Sequence, residues 1–294
     1  SSSTGTSFGG TAGATTNLTS LEVIGPAKIN SASITTSGEQ TYKGAVSLGA
    51  DTVLTSTGGS ITLDSTLDGA HIITFSVPDN AEKTITDDLT NHTGSITFEA
   101  GGIIRNDVTF NTTNTVTFSG NMNTMNIGSA ALWKKITHIT GKTVINGTLN
   151  AADISLADTS TSAAINAATT QIGNLTLTGN TTITTSGTQD YNGTINDSDS
   201  AAGTHTLTLK SEDSRITFAK DLGQTEAPKE LSVNGPLAIN CAAVTTTDEQ
   251  NYNAAITSTG AITLKSKAIN LNCSSVNTIG TQIYDGEVNL LSDT

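Results

Sequence analysis

A nine-residue motif returns at four places in this chain, and it contains every tyrosine of the sequence. A glutamine lies two positions after the start of the motif, and the tyrosine lies two positions after the glutamine. The four pairs are Gln40 and Tyr42, Gln189 and Tyr191, Gln250 and Tyr252, and Gln282 and Tyr284. The confinement of all four tyrosines to one motif indicates a chain built from internal repeats.

The repeat extends beyond the motif itself. Residues 21–30 match residues 231–240, and each segment starts with a leucine that precedes the glutamine of its copy by 19 positions (40 − 21 and 250 − 231). Residues 55–63 return as residues 257–264, closer to their tyrosine. The repeat unit therefore varies in length.

The local pattern between the motifs favours short β-strands. Segments such as Ser60–Asp64 and Thr206–Leu209 alternate apolar residues with Thr or another polar residue, which is the period of a strand. Gly, Asn and Asp lie between the runs, as expected for turns. Only Ala130–Ile136 could form a turn or two of helix.

A β-sandwich has no reason to repeat its sequence, whereas each coil of a β-solenoid stacks on the last at about 4.8 Å and places similar residues in ladders. We therefore predict an all-β parallel β-solenoid, or β-helix, with short strands and Gly, Asn or Asp turns. Residues 1–20 are expected to be a Ser/Thr/Gly-rich lead-in, and residues 21–294 a single solenoid. A less regular section is expected at about 64–174, where the motif is missing.

Composition limits the partners. The net charge is −13, and no basic run is longer than Lys134-Lys135. Nucleic acid and anionic membrane surfaces are therefore not expected as partners. No apolar run approaches the roughly 20 residues that cross a bilayer, so no membrane insertion is expected in this segment. The N-terminus lacks a signal-peptide pattern, and we expect the chain to be a fragment or mature piece.

Few residues point to chemistry. The four histidines (His71, His92, His138, His205) stand far apart, without metal-ligand spacing. Asp197-Ser198-Asp199 resembles part of a calcium loop but lacks the later carboxylate, so a solvated turn is the preferred interpretation. The sequence predicts no catalytic residue, no metal site and no cofactor. Trp133, beside the basic pair, is either a core aromatic or a small binding spot, with the core favoured.

Cys241 and Cys273 are a candidate disulfide, because each lies nine residues before the glutamine of its motif copy (250 − 241 and 282 − 273). If one unit is one coil, their Cα atoms stack about 4.8 Å apart, within the roughly 4.4–6.8 Å that a disulfide spans. If the separation covers two short coils, the Cα atoms lie about 10 Å apart and both thiols are small core residues. Both alternatives stay open at this stage.

The Gly-x-Gln-x-Tyr-x-Gly-x-Val/Ile units, together with the paired Gly-Pro segments, resemble the repeat regions of filamentous-haemagglutinin-like exoproteins and related large bacterial adhesins. The likeness covers most of residues 21–63 and 175–294. It implies a right-handed parallel β-helix, export to the bacterial cell surface, and a role in attachment or in an extended fibre. It assigns no residue to catalysis or to receptor binding.

The expected function is thus a structural or adhesive segment of a secreted surface protein, which is not an enzyme. Its expected partners are a receptor or glycan on a host or neighbouring cell, or copies of itself. The alternatives are a carbohydrate-active β-helix enzyme, an ice-binding solenoid and a phage fibre.

Overall fold

The computed structural model describes residues 5–78, 83–85, 89, 91–99, 102–104, 108–110, 115–119, 122–124, 136–162, 164–198, 203–212 and 214–291. Every regular element in these ranges is a β-strand, and the parallel sheets stack as a β-solenoid of about 12 turns in all. The predicted fold class is confirmed. Among the described residues, no helix is present that could span a membrane. The chain divides into two compact units, Ser1–Asp153 and Ile154–Thr294.

The strands that begin in the first unit are β1 (Thr6–Phe8), β2 (Leu21–Val23), β3 (Ala27–Ile29), β4 (Ser33–Thr36), β5 (Gln40–Tyr42), β6 (Val46–Leu48), β7 (Thr52–Ser56), β8 (Ile61–Leu63), β9 (Leu67–Asp68), β10 (Ile73–Ser76), β11 (Lys83–Ile85), β12 (Ile96–Glu99), β13 (Gly102–Ile104), β14 (Val108–Phe110), β15 (Thr115–Phe118), β16 (Met122–Thr124), β17 (Ile136–Ile145) and β18 (Leu149–Thr161).

The first unit is built of strands stacked in columns. Column A contains β1, β3, β6 and β9; column B contains β4, β7, β10, β12, β15 and the end of β17; column C contains β2, β5, β8 and β11. The chain visits the columns in turn, so three short strands make one coil. Three successive coils of column B have a phenylalanine at the same inward position, with ring centroids 5.4 Å apart for Phe75 and Phe98 and 5.3 Å apart for Phe98 and Phe118.

The strands of the second unit are β19 (Ala164–Leu177), β20 (Thr181–Thr185), β21 (Gln189–Tyr191), β22 (Ile195–Asp197), β23 (Thr206–Ser211), β24 (Ile216–Phe218), β25 (Glu230–Asn234), β26 (Leu237–Ile239), β27 (Ala243–Thr245), β28 (Glu249–Tyr252), β29 (Ile256–Ser258), β30 (Ile262–Leu271), β31 (Val276–Thr278) and β32 (Gln282–Leu290).

Three columns also form the second unit. Column D contains β20, β23, β25, β28 and the ends of β30 and β32. Column E contains β21, β24, β26, β29 and β31. Column F contains β22, β27 and the starts of β30 and β32, with Leu222 bridging β22 and β27. Alternation puts Val, Ile, Leu and Phe inside each coil and Thr, Ser or Asn outside.

The separation of each repeated leucine from the glutamine of its motif copy corresponds to one coil. Leu21 pairs with Gln40, and Leu231 pairs with Gln250, at the 19-residue separation read from the sequence. The first coil starts earlier than expected, because Thr6–Phe8 alternates like a strand and pairs with β3. Part of the predicted lead-in therefore belongs to the solenoid.

Candidate functional site

The Gln40 side chain joins two coils of the first unit. Its Nε2 donates to the Ile34 carbonyl at 3.2 Å and to the Thr55 carbonyl at 2.6 Å, while its Oε1 accepts from the Tyr42 hydroxyl at 3.1 Å. Thr55 stacks one coil above Thr35. The amide thus bonds the preceding strand of its own coil and the same strand of the next coil.

The same arrangement recurs at two other copies of the motif. Gln189 Nε2 donates to Ile183 O at 3.3 Å and to Lys210 O at 2.6 Å. Gln250 Nε2 donates to Val244 O and to Lys265 O, both at 2.9 Å. The hydroxyls of their tyrosines donate to the glutamine Oε1 atoms, both at 2.9 Å. We call each such Gln-Tyr pair with its bonded carbonyls a Gln-Tyr corner.

The fourth corner keeps the internal bonds but lacks the second coil. Gln282 Nε2 donates to Val276 O at 3.1 Å, and the Tyr284 hydroxyl donates to Gln282 Oε1 at 2.7 Å. No described strand stacks on β31, where the other carbonyl would lie. Gln282 is exposed, whereas Gln40, Gln189 and Gln250 are buried.

A threonine four residues before each glutamine belongs to the corner and was missed in the sequence. Thr36, Thr185 and Thr278 each donate from Oγ1 to the carbonyl two residues later, at 2.5, 2.6 and 2.7 Å. Thr185 Oγ1 also accepts from Gln189 Nε2 at 3.1 Å. The signal was present, since all four copies have this threonine, including Thr246.

Burial fixes the protonation of the enclosed tyrosines. Tyr42, Tyr191 and Tyr252 end their strands with side chains inside the core, and burial raises the pKa of each phenol well above its usual value of 10. Tyr284 is less enclosed, and burial raises its pKa as well. Each corner is therefore a neutral hydrogen-bonding unit that holds the coil in place.

The second glycine of the motif allows neighbouring turns to approach closely. A Cβ at Gly44 would lie 2.4 Å from the Gly25 carbonyl carbon, and a Cβ at Gly193 would lie 2.6 Å from the Gly173 carbonyl carbon. Any larger residue would force these turns apart. The copy at Gln250 has Ala254 instead, so the corner itself does not require the glycine.

The motif moves from column to column in the second unit. Gln189 lies in column E, Gln250 in column D and Gln282 in column F. Gln250 and Gln282 are 32 positions apart, which exceeds one coil of about 19–20 residues and falls short of two. The corner is therefore a local device that can be used on any side of the coil.

This shift explains why the candidate disulfide is absent. Cys241 follows β26 in column E, whereas Cys273 follows the end of β30 in column D. The expectation that they are stacked equivalents is wrong, and the two cysteines do not form a disulfide. Cys273 is buried, as the core alternative predicted. Burial and the nearby Asp221 carboxylate raise the pKa of the half-buried Cys241 thiol to about 12.

Asparagines form two ladders on the outer surface of the second unit. Asn270 Nδ2 donates to Asn251 Oδ1 at 2.7 Å, and Asn289 Nδ2 donates to Asn270 Oδ1 at 2.9 Å. A parallel ladder links Asn253 to Asn234 at 2.8 Å and Asn272 to Asn253 at 3.4 Å. In each bond the asparagine Nδ2 donates to the Oδ1 of the asparagine in the preceding coil, so all the hydrogen bonds of the two ladders point the same way along the stack.

The predicted solvated turn at Asp197 is wrong. Its carboxylate is fully buried and accepts from the His205 backbone N–H at 2.9 Å, with His205 Nδ1 at 2.6 Å. The partner histidine lies eight residues later, beyond the reach of a local turn pattern. Asp199 lies outside the described residues.

The other three histidines lie in different surroundings and do not form a common site. His71 Nδ1 lies 3.3 Å from Asp51, His138 Nδ1 lies 2.9 Å from the Thr143 hydroxyl, and burial lowers the pKa of His92. Within the described ranges, no group of three or more His, Cys, Asp or Glu could hold a metal ion. Trp133, Lys134, Lys135 and all but the last residue of the predicted helical stretch lie outside the described residues. That last residue, Ile136, begins β17.

No family model, no curated protein and no solved structure matches the chain. The fold identifies a β-helix repeat protein. The relationship to bacterial adhesins that its motifs suggest stays a prediction.

Proposed function

We propose that this chain is a structural and adhesive repeat segment of a secreted, surface-exposed bacterial fibre. The proposal is carried by one observation: successive coils are bonded to each other both inside, through the Gln-Tyr corners, and outside, through the asparagine ladders. Along each asparagine ladder, three successive coils present the same amide group at a spacing of about 4.8 Å. A surface of this kind binds by repetition, since many weak contacts add up.

The proposed partner is a receptor or glycan on a host or neighbouring cell. Hydroxyl and amide groups in register can hydrogen-bond to the hydroxyl groups of a sugar chain along several coils. The resemblance of the Gln-x-Tyr units to adhesin repeats supports the same function. Ice binding is less well supported, because a flat threonine array is interrupted: the outward Thr184 is followed in column D by Lys210 and then by Asn234.

Multivalent adhesion is tested by coating beads with the chain at several surface densities and measuring their retention on cultured cells under flow. Retention is expected to rise more steeply than in proportion to density, while the free chain competes poorly. The control is the double variant Asn251→Ala and Asn270→Ala, which removes two outward rungs and leaves the core unchanged. Retention equal to that of bare beads at every density would contradict the adhesive role.

A further inference from the structure

A small pocket lies at the turn between columns E and F of the second unit, and we call it the turn pocket. Its volume is about 280 Å³. Three successive coils supply its walls: Thr194 lies in the turn after β21, Lys220 and Asp221 in the turn after β24, and Asn240 in the turn after β26. Small-molecule sites usually measure about 300–1,000 Å³, so the turn pocket suits a ligand at the small end of this range.

One wall of the turn pocket belongs to a segment that departs from the repeat. From Leu222 in column F to Leu231 in column D the chain takes nine residues (231 − 222). The residues that stack on them in the next coil, Val244 and Gln250, are only six positions apart (250 − 244). The longer segment contributes Gln224 to the pocket. Irregular loops on a regular scaffold are where binding groups are usually found.

Backbone conformation and hydrogen bonds hold this segment in place. Gly223 has a φ of 71°, in the left-handed region, and its N–H donates to Ile195 O at 2.7 Å. Thr225 N donates to Asn196 Oδ1 at 3.2 Å. Gln224 lies between these two bonds and is exposed. Its side-chain amide is therefore presented at the pocket from an anchored backbone.

Asp221 supplies a rigid acceptor. Its Oδ1 accepts from Ala242 N at 2.8 Å and from Ala243 N at 2.9 Å, both in the next coil. These bonds fix the carboxylate, and in the described part of the chain no N–H or O–H group donates to its Oδ2. The neighbouring Cys241 thiol keeps its proton at neutral pH, because burial and this carboxylate raise its pKa to about 12. The charged groups of the pocket are thus the Asp221 carboxylate and the Lys220 ammonium.

Three further side chains of the pocket can donate hydrogen bonds. They are those of Lys220, Gln224 and Asn240, and none of the three is bonded to another described residue. An amide donates through its nitrogen and accepts through its oxygen, as a hydroxyl does with its single oxygen. Two neighbouring hydroxyls of a sugar ring match this set, since one can donate to Asp221 Oδ2 while the other accepts from an amide.

We propose that the turn pocket binds one neutral hexopyranose unit of a glycan. The opposite charges of Lys220 and Asp221 leave the site without net attraction for a strongly charged ligand. The inference names a subsite for the glycan partner and rests on the proposed function.

The first test is saturation-transfer NMR of the dilute chain with methyl β-glucoside, methyl β-galactoside and methyl α-mannoside as probes. At least one is expected to bind with a Kd of about 1–10 mM, the affinity that a few hydrogen bonds supply. Asp221→Asn keeps one oxygen for the two backbone N–H groups but replaces the second acceptor by a donor, so binding should weaken by about 10-fold or more.

A second variant tests the pocket without disturbing the core. Gln224 is exposed, and Gln224→Ala should weaken binding of the same glycoside by about 3–10-fold. Thr225→Ala is the matched control, because Thr225 is the next exposed residue of the segment and does not line the pocket. Its affinity should equal that of the wild type. A Gln224→Ala affinity equal to that of this control would contradict the assignment.

Charged probes test whether the ligand is neutral. Glucuronate offers a carboxylate to Lys220, and glycine offers a charge to both Lys220 and Asp221. Neither should bind as tightly as the best glycoside, and tighter binding of either would overturn the assignment to a neutral sugar. Lys220→Gln should change the glycoside Kd by less than about 3-fold, since an amide still donates a neutral hydrogen bond.

Absence of saturation transfer to all three glycosides would overturn the turn pocket as a sugar site. Bead retention on cells would be unaffected by that result, because it is attributed to the asparagine ladders. The ladder variant Asn251→Ala with Asn270→Ala should in turn bind the glycoside as the wild type does. The two proposals can therefore fail separately.

Discussion

The corners at Gln250 and Gln282 have the same internal hydrogen bonds but different surroundings. The tyrosine hydroxyl donates to the glutamine Oε1 at 2.9 Å in the first and 2.7 Å in the second. Only Gln250 also reaches a carbonyl of the next coil, that of Lys265. Tyr252 is 1% exposed, whereas Tyr284 is half-buried. The local strand thus sets the geometry of a corner, and the next coil supplies its enclosure.

The largest expected effect is the difference in lost stability between alanine variants of Gln250 and Gln282. Gln250→Ala leaves the buried Tyr252 hydroxyl without its acceptor and removes one donor each from the Val244 and Lys265 carbonyls, of which Lys265 O keeps the Thr246 N–H. With the cavity that it also leaves, it should cost about 3–5 kcal/mol of unfolding free energy. Gln282 is already exposed, so water can replace its amide in Gln282→Ala, and this variant should lose less than about 1 kcal/mol of unfolding free energy. Urea denaturation of the dilute chain measures both. Equal losses would show that enclosure by the next coil does not matter.

Alkaline pH should separate the tyrosines. Burial raises the pKa of Tyr191 and Tyr252 well above 10, so the folded chain keeps protons that the unfolded chain releases above that value. Stability is therefore unaffected below pH 10 and falls as the pH rises above it, by up to about 1.4 kcal/mol per pH unit for each buried tyrosine.

Ultraviolet absorbance of tyrosinate follows this titration. One tyrosine, Tyr284, is expected to ionise while the protein is still folded, and the three enclosed tyrosines should ionise together with unfolding. The variant Tyr284→Phe is the control and should remove only the early phase. Four tyrosines that titrate in one reversible step would contradict the difference between the corners.

The sequence predicted stacked coils because a ladder requires similar residues at each level. The structure adds that the 19-residue separation of Leu231 from Gln250 is one coil. The sequence could not predict the column of each corner, because the lengths of the turns between strands decide how far the chain has advanced. The assumption that equal spacing to the motif means equal position made Cys241 and Cys273 stacked equivalents, whereas they follow strands in different columns.

Contacts between residues outside the repeat pattern were the second feature that the sequence could not predict. The bond from Asp197 to His205 depends on how an irregular loop returns to its strand, and no periodic pattern records that return. The threonines of the corners were a different case. A threonine stands four positions before every motif glutamine, but threonine is so common in this chain that the recurrence is hard to recognise. The hydrogen bond from Gln189 Nε2 to the Thr185 hydroxyl is what gives it a role.

The smallest expected effect isolates a single hydroxyl at each corner. Tyr252→Phe keeps the ring in the core and leaves Gln250 Oε1 without its donor, so it should cost about 1 kcal/mol, whereas Tyr284→Phe should change stability by less than about 0.5 kcal/mol because water can replace the hydroxyl. The double variant Tyr252→Phe with Gln250→Ala should lose less than the sum of its single changes, since both remove the same bond. Urea denaturation gives all four free energies. If the two losses at this corner add in full, the hydroxyl and the amide do not stabilise the coil through each other.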